Sequence, residues 1–126
     1  MGLRPQYHFR RVEGVLHAWD VRQLVSLTEA LPIENVPLAQ IAEIDEPYWS
    51  AEGPPMSGRV VLEHVRLIRE ADLRYPVILC PKGRLMDGMH RVLKALDLGL
   101  DTIRAYRLTS MPVPDAIGIP PEDLPY

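Results

Sequence analysis

The sequence predicts a small α+β domain, and three observations lead to this class. A chain of 126 residues is long enough for one domain with a modest core. Short apolar runs of strand length alternate with stretches whose apolar residues recur at helical spacing. The 13 prolines and eight glycines divide the chain into short elements. We therefore expect a small mixed β-sheet with helices packed on it.

The first part of the chain predicts an arm, a strand and a helix. Residues 1–15 are polar and basic, and we expect them to form a loosely held N-terminal arm. Leu16–Asp20 is predicted to be a short strand. Val21–Leu31 has the apolar spacing of an amphipathic helix, and Asp20 suits the position of its N-cap. Residues 35–44 predict a strand that enters a short helical turn.

A long connection over residues 45–58 follows, of a length that often serves as a lid or binding loop. Its aromatic pair, Tyr48 and Trp49, has two interpretations: a lid over a pocket, or a fastening of the loop to the core. Tyr75 also has two, stacking on a base or capping the core. The residues alone leave these alternatives open.

The remaining elements predict the central unit of the domain. In order they are a helix (59–73), a strand (77–80), a turn around Lys82, a strand (84–86), a helix (88–98) and a strand (102–108). Gly99 suits the C′ position of the last helix. We place the domain at residues 16–108. Five prolines in residues 109–126 predict a tail that runs extended over the surface or into a protein partner.

Composition narrows the class of protein. We find no secretory signal and no apolar run long enough to span a bilayer, so we expect a cytoplasmic protein without membrane contact. A single cysteine, and His8 and His17 without ligand-like spacing, predict no zinc site. Residues 59–107 carry ten Lys and Arg against six Asp and Glu, whereas the rest has four against eleven. This surplus suits an anion pocket but is too small for an autonomous DNA-binding domain.

The motif Asp87-Gly88-Met89-His90-Arg91 stands where the second short strand passes into a helix. The unpaired N–H groups of a helix N-terminus favour a phosphate. His90 and Arg91 place two cationic residue types where the helix dipole disfavours positive charge, and a bound anion is the simplest reason for them. Asp87 also suits the role of N-cap. Lys82, on the preceding turn, is either solvated or a further phosphate contact.

With its setting of strand, turn, strand, helix and the returning LGLDTI strand, this motif resembles the ParB N-terminal/sulfiredoxin-like domain family, best from about Val36 to Leu108. The resemblance implies a nucleotide (ATP, ADP or CTP), with or without Mg²⁺, whose phosphates lie on the turn from Gly88 through Met89 to Arg91. Gly88 would let the backbone approach, and His90 and Arg91 would donate to the oxygens. Asp87 would position these side chains or lie near the metal.

Departures from the family limit the implied activity. Met89 stands where sulfiredoxins have their reactive cysteine, so a sulfiredoxin-type reductase is not expected. Partition ParB proteins have Gly-Glu-Arg-Arg at this turn and continue into a helix-turn-helix domain, which this sequence lacks. The motif is also similar to the Asp-Gly-His-His-Arg turn of archaeal free-serine kinases, which use a glutamate from an earlier loop as base.

Several alternatives therefore stay open. For phosphoryl transfer or hydrolysis, the candidate carboxylates are Asp87 and the loop residues Glu43, Glu46 and Glu52. His64 has two interpretations: a half-buried structural histidine with a backbone partner, or a residue facing the nucleotide pocket. The alternatives to nucleotide binding with turnover are a small-molecule kinase and a non-catalytic DNA-associated or protein-interaction module. A homodimer is compatible with any of them.

Overall fold

Two β-sheets and three α-helices form the part of the chain that the computed structural model describes, residues 6–49 and 55–126. The strands are β1 (Tyr7–Val12), β2 (Val15–Asp20), β3 (Glu34–Pro37), β4 (Val77–Leu79), β5 (Leu85–Asp87), β6 (Thr102–Arg107) and β7 (Ala116–Ile117). The helices are α1 (Val21–Ser26), α2 (Gly58–Glu70) and α3 (Met89–Asp97). The α+β class predicted from the sequence is confirmed.

The larger sheet has the strand order β3-β6-β4-β5. Strand β6 is parallel to β4 and antiparallel to β3, and β4 is antiparallel to β5. The chain passes from β4 through β5 and α3 to β6, so α3 is part of the connection between two parallel neighbours. Its buried face packs on the sheet through Met89, Val92 and Ala95, within a core that also contains Val77 and Leu85.

The smaller sheet, β1-β2-β7, corrects the prediction of a loosely held arm over residues 1–15. Tyr7–Val12 pairs with β2 along its whole length. The connection Glu13-Gly14 has positive φ at both residues, the geometry of a tight type I′ hairpin turn. The basic composition of this segment concealed a strand whose partner lies immediately after it in sequence. Residues 1–5 lie outside the described part of the chain.

Residues 109–126, predicted to run extended over the surface or into a partner, run along the surface of the smaller sheet. Most of residues 109–126 lacks regular structure, and β7 adds only two residues to the edge of the smaller sheet. The carbonyl of Pro112 accepts from Trp19 Nε1, and that of Pro125 accepts from the Tyr7 hydroxyl. Within this chain, the tail is therefore held against the smaller sheet.

The start of α1 and the end of α3 lie where their capping residues predict, whereas the burial of α2 does not follow from the spacing of its apolar residues. Asp20 caps α1 by accepting from the Arg22 N–H, as predicted, although α1 ends at Ser26. Gly99, at φ +75°, ends α3 as its C′ residue, also as predicted. The apolar residues of α2, which the spacing places on one face, are not covered: no residue of α2 is buried, and Val61 is 45% exposed. Helix α2 packs beside α3 and leaves the rest of its surface open.

In the described residues, no helix is long and apolar enough to cross a membrane.

Gly88, at the junction of β5 and α3, packs more closely against its neighbours than the other glycines that the structure describes. Gly88 has φ +109°, and a Cβ placed on it would lie 2.6 Å from Val77 Cγ1. The start of α3 therefore lies directly against β4. A side chain at this position would have to displace a fully buried valine.

We expect Gly88→Ala to lower the free energy of unfolding by about 3 kcal/mol, from the positive φ and the collision with Val77. Gly14→Ala is the matched control: it shares a positive φ but has nothing within 4 Å, so about 1 kcal/mol is expected. Urea unfolding of both variants measures the difference. Equal losses would contradict the close contact at Gly88.

Candidate functional site

A large open cleft of about 1910 Å³ lies between β1 and α2. Residues 84–91, the end of the β4–β5 hairpin and the start of α3, line it together with residues of the loop before α2. Small-molecule pockets are typically about 300–1,000 Å³, so this cleft has room for a nucleotide-sized ligand. The motif predicted from the sequence thus lines this cleft.

The start of α3 is not capped by a side chain. Gly88 is the N-cap residue, and no side-chain hydrogen bond caps the helix. The prediction that Asp87 caps it was wrong, because the Asp87 carboxylate accepts from Arg91 Nη2 at 2.8 Å. A helix start leaves its first N–H groups without intrahelical acceptors. Here these groups belong to a turn that lines the cleft.

Two histidines meet beside this helix start. His64 Nδ1, from α2, lies 2.9 Å from His90 Nε2, from α3, within hydrogen-bond distance. Among the described residues, the two outer ring nitrogens, His64 Nε2 and His90 Nδ1, have no hydrogen-bond partner. Both residues line the cleft. His64 is half-buried, as one interpretation proposed, but its partner is the His90 ring rather than the backbone, and it lines the cleft as the other interpretation proposed.

Trp49 covers both imidazoles. Its ring stacks on His64 with centroids 3.8 Å apart and an interplanar angle of 17°, and on His90 at 4.7 Å and 24°. Trp49 and Tyr48 also pack against the core of the larger sheet. The loop is thus fastened to the core, as one of the two interpretations proposed, and its fastening point is the histidine pair.

The pair is neutral near pH 7. Burial, followed by the nearby His64 and Arg91, lowers the pKa of His90 to about 4. Burial also lowers the pKa of His64, although the Glu63 carboxylate partly opposes this. Two neutral imidazoles joined by one hydrogen bond present one N–H donor and one bare nitrogen at their outer positions.

Arg91 is engaged in holding the fold. Its Nη1 donates to the carbonyls of Tyr75 (2.9 Å) and Pro76 (2.7 Å), and its Nη2 donates to Asp87. The side chain is 19% exposed. Arg91 thus joins α3 to the segment that leads into β4, and the guanidinium fork predicted for a phosphate is already occupied.

Asp87 and Glu46, two of the four candidate carboxylates, are both paired with arginines. Burial raises the pKa of Asp87, and Arg91 offsets part of that increase. Glu46 accepts from Arg84 at 2.7 and 3.1 Å, and this hydrogen bonding lowers the pKa of Glu46. Neither is a free base in this arrangement. Glu52 lies outside the described residues.

Glu43 is buried and fastens the loop before α2 to the larger sheet. Its Oε2 accepts from the Leu85 N–H at 3.0 Å and lies 3.1 Å from Arg84 Nε. Its Oε1 has no hydrogen-bond partner in the described structure. Burial, and then the charges of Asp87 and Glu43, raise the pKa of Tyr48 to about 12, so its hydroxyl stays protonated.

The other predicted residues divide between cleft and core. Tyr75 is 64% exposed and lines the cleft, so the interpretation as a core cap was wrong. The Met89 side chain is buried in the core, which leaves only its backbone for a ligand. Lys82 is exposed at the opposite end of the β4–β5 hairpin from Gly88 and does not line the cleft.

Other residues of the site were not predicted. His8 and Arg10 of β1 form part of the opposite wall, and they were missed because the segment was taken as an arm. Lys94 donates to the carbonyls of Arg69 and Ala71 at the end of α2, which fixes α2 beside α3. The alternation of side chains along a strand was the signal that could have found His8 and Arg10. No signal in the sequence pointed to the contacts of Lys94.

The described residues contain no group of three or more His, Cys, Asp or Glu side chains arranged to hold a metal ion.

No protein-family model, curated protein or solved structure matches the chain. The function is therefore inferred from the cleft and its residues.

Replacing Arg91 by alanine is expected to lower the free energy of unfolding by about 3 kcal/mol, because Asp87 and two carbonyls lose their donor. Arg91→Lys should recover only part of the loss, since an ammonium cannot reproduce the fork. The surface pair Asp72–Arg74 supplies the control: Arg74→Ala should leave stability nearly unchanged. Denaturant titration checks all three, and an unaltered Arg91→Ala midpoint would rule out this structural role.

Proposed function

We propose that this protein is a ParB/sulfiredoxin-like domain that binds the phosphates of a nucleoside di- or triphosphate where α3 begins. The observation that carries the proposal is an uncapped helix start at Gly88, beside two histidines, on the floor of a nucleotide-sized cleft. The parallel neighbours β4 and β6, joined through β5 and α3, support the family resemblance of the motif.

The backbone is the main phosphate-binding element in this proposal. The N-terminus of a helix carries about half a positive charge and several free N–H donors. The close contact of Gly88 with Val77 fixes the position of these donors at the helix start, where a phosphate oxygen can accept from them. His64 and His90 add ring nitrogens at the same place. Arg91 acts indirectly, by holding α3 and the Tyr75–Pro76 segment together.

The rest of the nucleotide would lie along the cleft. Tyr75 has an exposed ring that a base can stack on, whereas Trp49 is already stacked on the two histidines. Mg²⁺ bound to the phosphates would neutralise their charge. This matters because the arginines that line the floor, Arg84 and Arg91, are paired with carboxylates.

The second part of the proposal is turnover, meaning hydrolysis of the nucleotide or transfer of its phosphoryl group. Phosphoryl transfer requires positioning and charge neutralisation, which the helix start supplies, and a carboxylate or imidazole to accept the proton. Asp87 and Glu46 are ion-paired, so the histidine pair is better placed for that proton. A small-molecule kinase is the alternative within the same site.

The nucleotide proposal predicts ligand-dependent melting. ATP, ADP, CTP or GTP, with and without Mg²⁺, should raise the melting temperature by about 10 °C for the bound nucleotide at about 100 times its Kd. His90→Ala should abolish the shift while the variant still unfolds cooperatively. His17→Ala, on β2 and outside the cleft, is the control and should keep the shift.

Melting temperatures that stay equal across the whole panel would contradict the proposal. Consumption of nucleotide only after an acceptor alcohol is added would identify a kinase. Affinity for DNA that falls steeply with salt, without any nucleotide shift, would favour the DNA-associated alternative.

A further inference from the structure

We propose that His64 and His90 act as one phosphate-binding unit that takes up a proton when a phosphoryl oxyanion enters the cleft. His64 thereby becomes a second binding residue, supplied by α2 from outside the motif. This inference rests on the proposed function, because the anion is taken to be the phosphate of the nucleotide.

The geometry of the pair limits what it can offer in its neutral form. One proton lies between His64 Nδ1 and His90 Nε2, 2.9 Å apart. Whichever ring holds that proton, one outer nitrogen carries a proton and the other does not. A phosphate that contacts both outer nitrogens therefore meets one donor and one lone pair. The lone pair repels the phosphate oxygen.

One added proton removes this conflict. It makes both outer nitrogens donors and gives the pair a positive charge, which a phosphate stabilises. The hydrogen bond between the rings survives, because a single added proton leaves one acceptor nitrogen in the pair. The pair is neutral before the ligand binds, since burial lowers the pKa of His90 to about 4, so the anion must supply the stabilisation of the added charge.

Among the described residues, the carboxylates near the pair do not supply a counter-charge for an added proton in the absence of ligand. Asp87 on β5 is paired with Arg91 on α3, and in the loop before α2 both Glu43 and Glu46 lie against Arg84. Glu63 on α2 favours a charged His64, but burial outweighs it. An incoming anion is thus the missing partner for a protonated pair.

Trp49 makes the two rings a unit. It stacks on both, and the ring centroids of His64 and His90 lie 5.1 Å apart at 25°. The face under Trp49 is closed to ligands, so a phosphate meets the ring edges, where the nitrogens are.

The test is calorimetry of ADP binding at pH 7.5 in two buffers of different ionisation enthalpy, with CTP replacing ADP if CTP binds more tightly. The wild-type protein should take up as much as one proton per nucleotide. Its affinity should fall by up to about tenfold per unit of pH above neutrality. A nucleotide phosphate, with its second pKa near about 6, is almost fully ionised at this pH, so uptake that is lost in the His64→Asn variant below assigns the proton to the histidine pair rather than to the phosphate.

His64→Asn is the informative variant, because its amide can still donate to His90 but has no titratable outer nitrogen. It should bind nucleotide more weakly and without proton uptake. His17→Asn should behave like the wild type. Wild-type binding without proton uptake, or uptake that persists in His64→Asn, would overturn this inference and leave the nucleotide site standing. Absence of nucleotide binding at every pH would overturn both.

Discussion

The close approach of α3 to β4 is the constraint on which the rest of the site depends. It exists because Gly88 has no side chain where Val77 lies, and because Arg91 links the first turn of α3 to the carbonyls just before β4. Both contacts act on the same few residues. The helix start is therefore fixed in the folded protein, and under the proposed function its N–H groups would bind a phosphate without prior rearrangement. Such preorganised donors cost little when a ligand binds.

This constraint also explains the unusual charge of the site. An arginine that holds the helix in place cannot at the same time receive a phosphate, and the second arginine on the floor, Arg84, holds the loop through Glu43 and Glu46. The cleft floor is thus built from internally paired charges. In the proposed function, Mg²⁺ or a proton on the histidine pair adds the positive charge that these paired arginines do not offer to a phosphate. The histidine pair is the group in the described structure that can accept that proton.

Local chemistry was readable from the sequence, and distant pairing was not. Asp20 and Gly99 sit where their conformational preferences place them, and the strand, turn and helix around Gly88 follow from spacing alone. The face of α2 was misjudged because an apolar stripe does not say how much of it a neighbour covers. His64 and His90 are 26 residues apart, and only the packing of α2 beside α3 brings their rings together.

The role of Arg91 lies between these two cases. Asp87 and Arg91 are four residues apart at a helix start, a spacing that brings opposite charges together, so their ion pair could have been anticipated. The two carbonyl acceptors could not, because they belong to the chain before β4. The role of an arginine in a phosphate-type motif is thus ambiguous when an acidic residue precedes it by one helical turn, because the arginine can pair with that residue or bind a phosphate. The neighbouring His90 has no such partner in its own helix, which is why the proposed function assigns the ligand contact to the histidine pair.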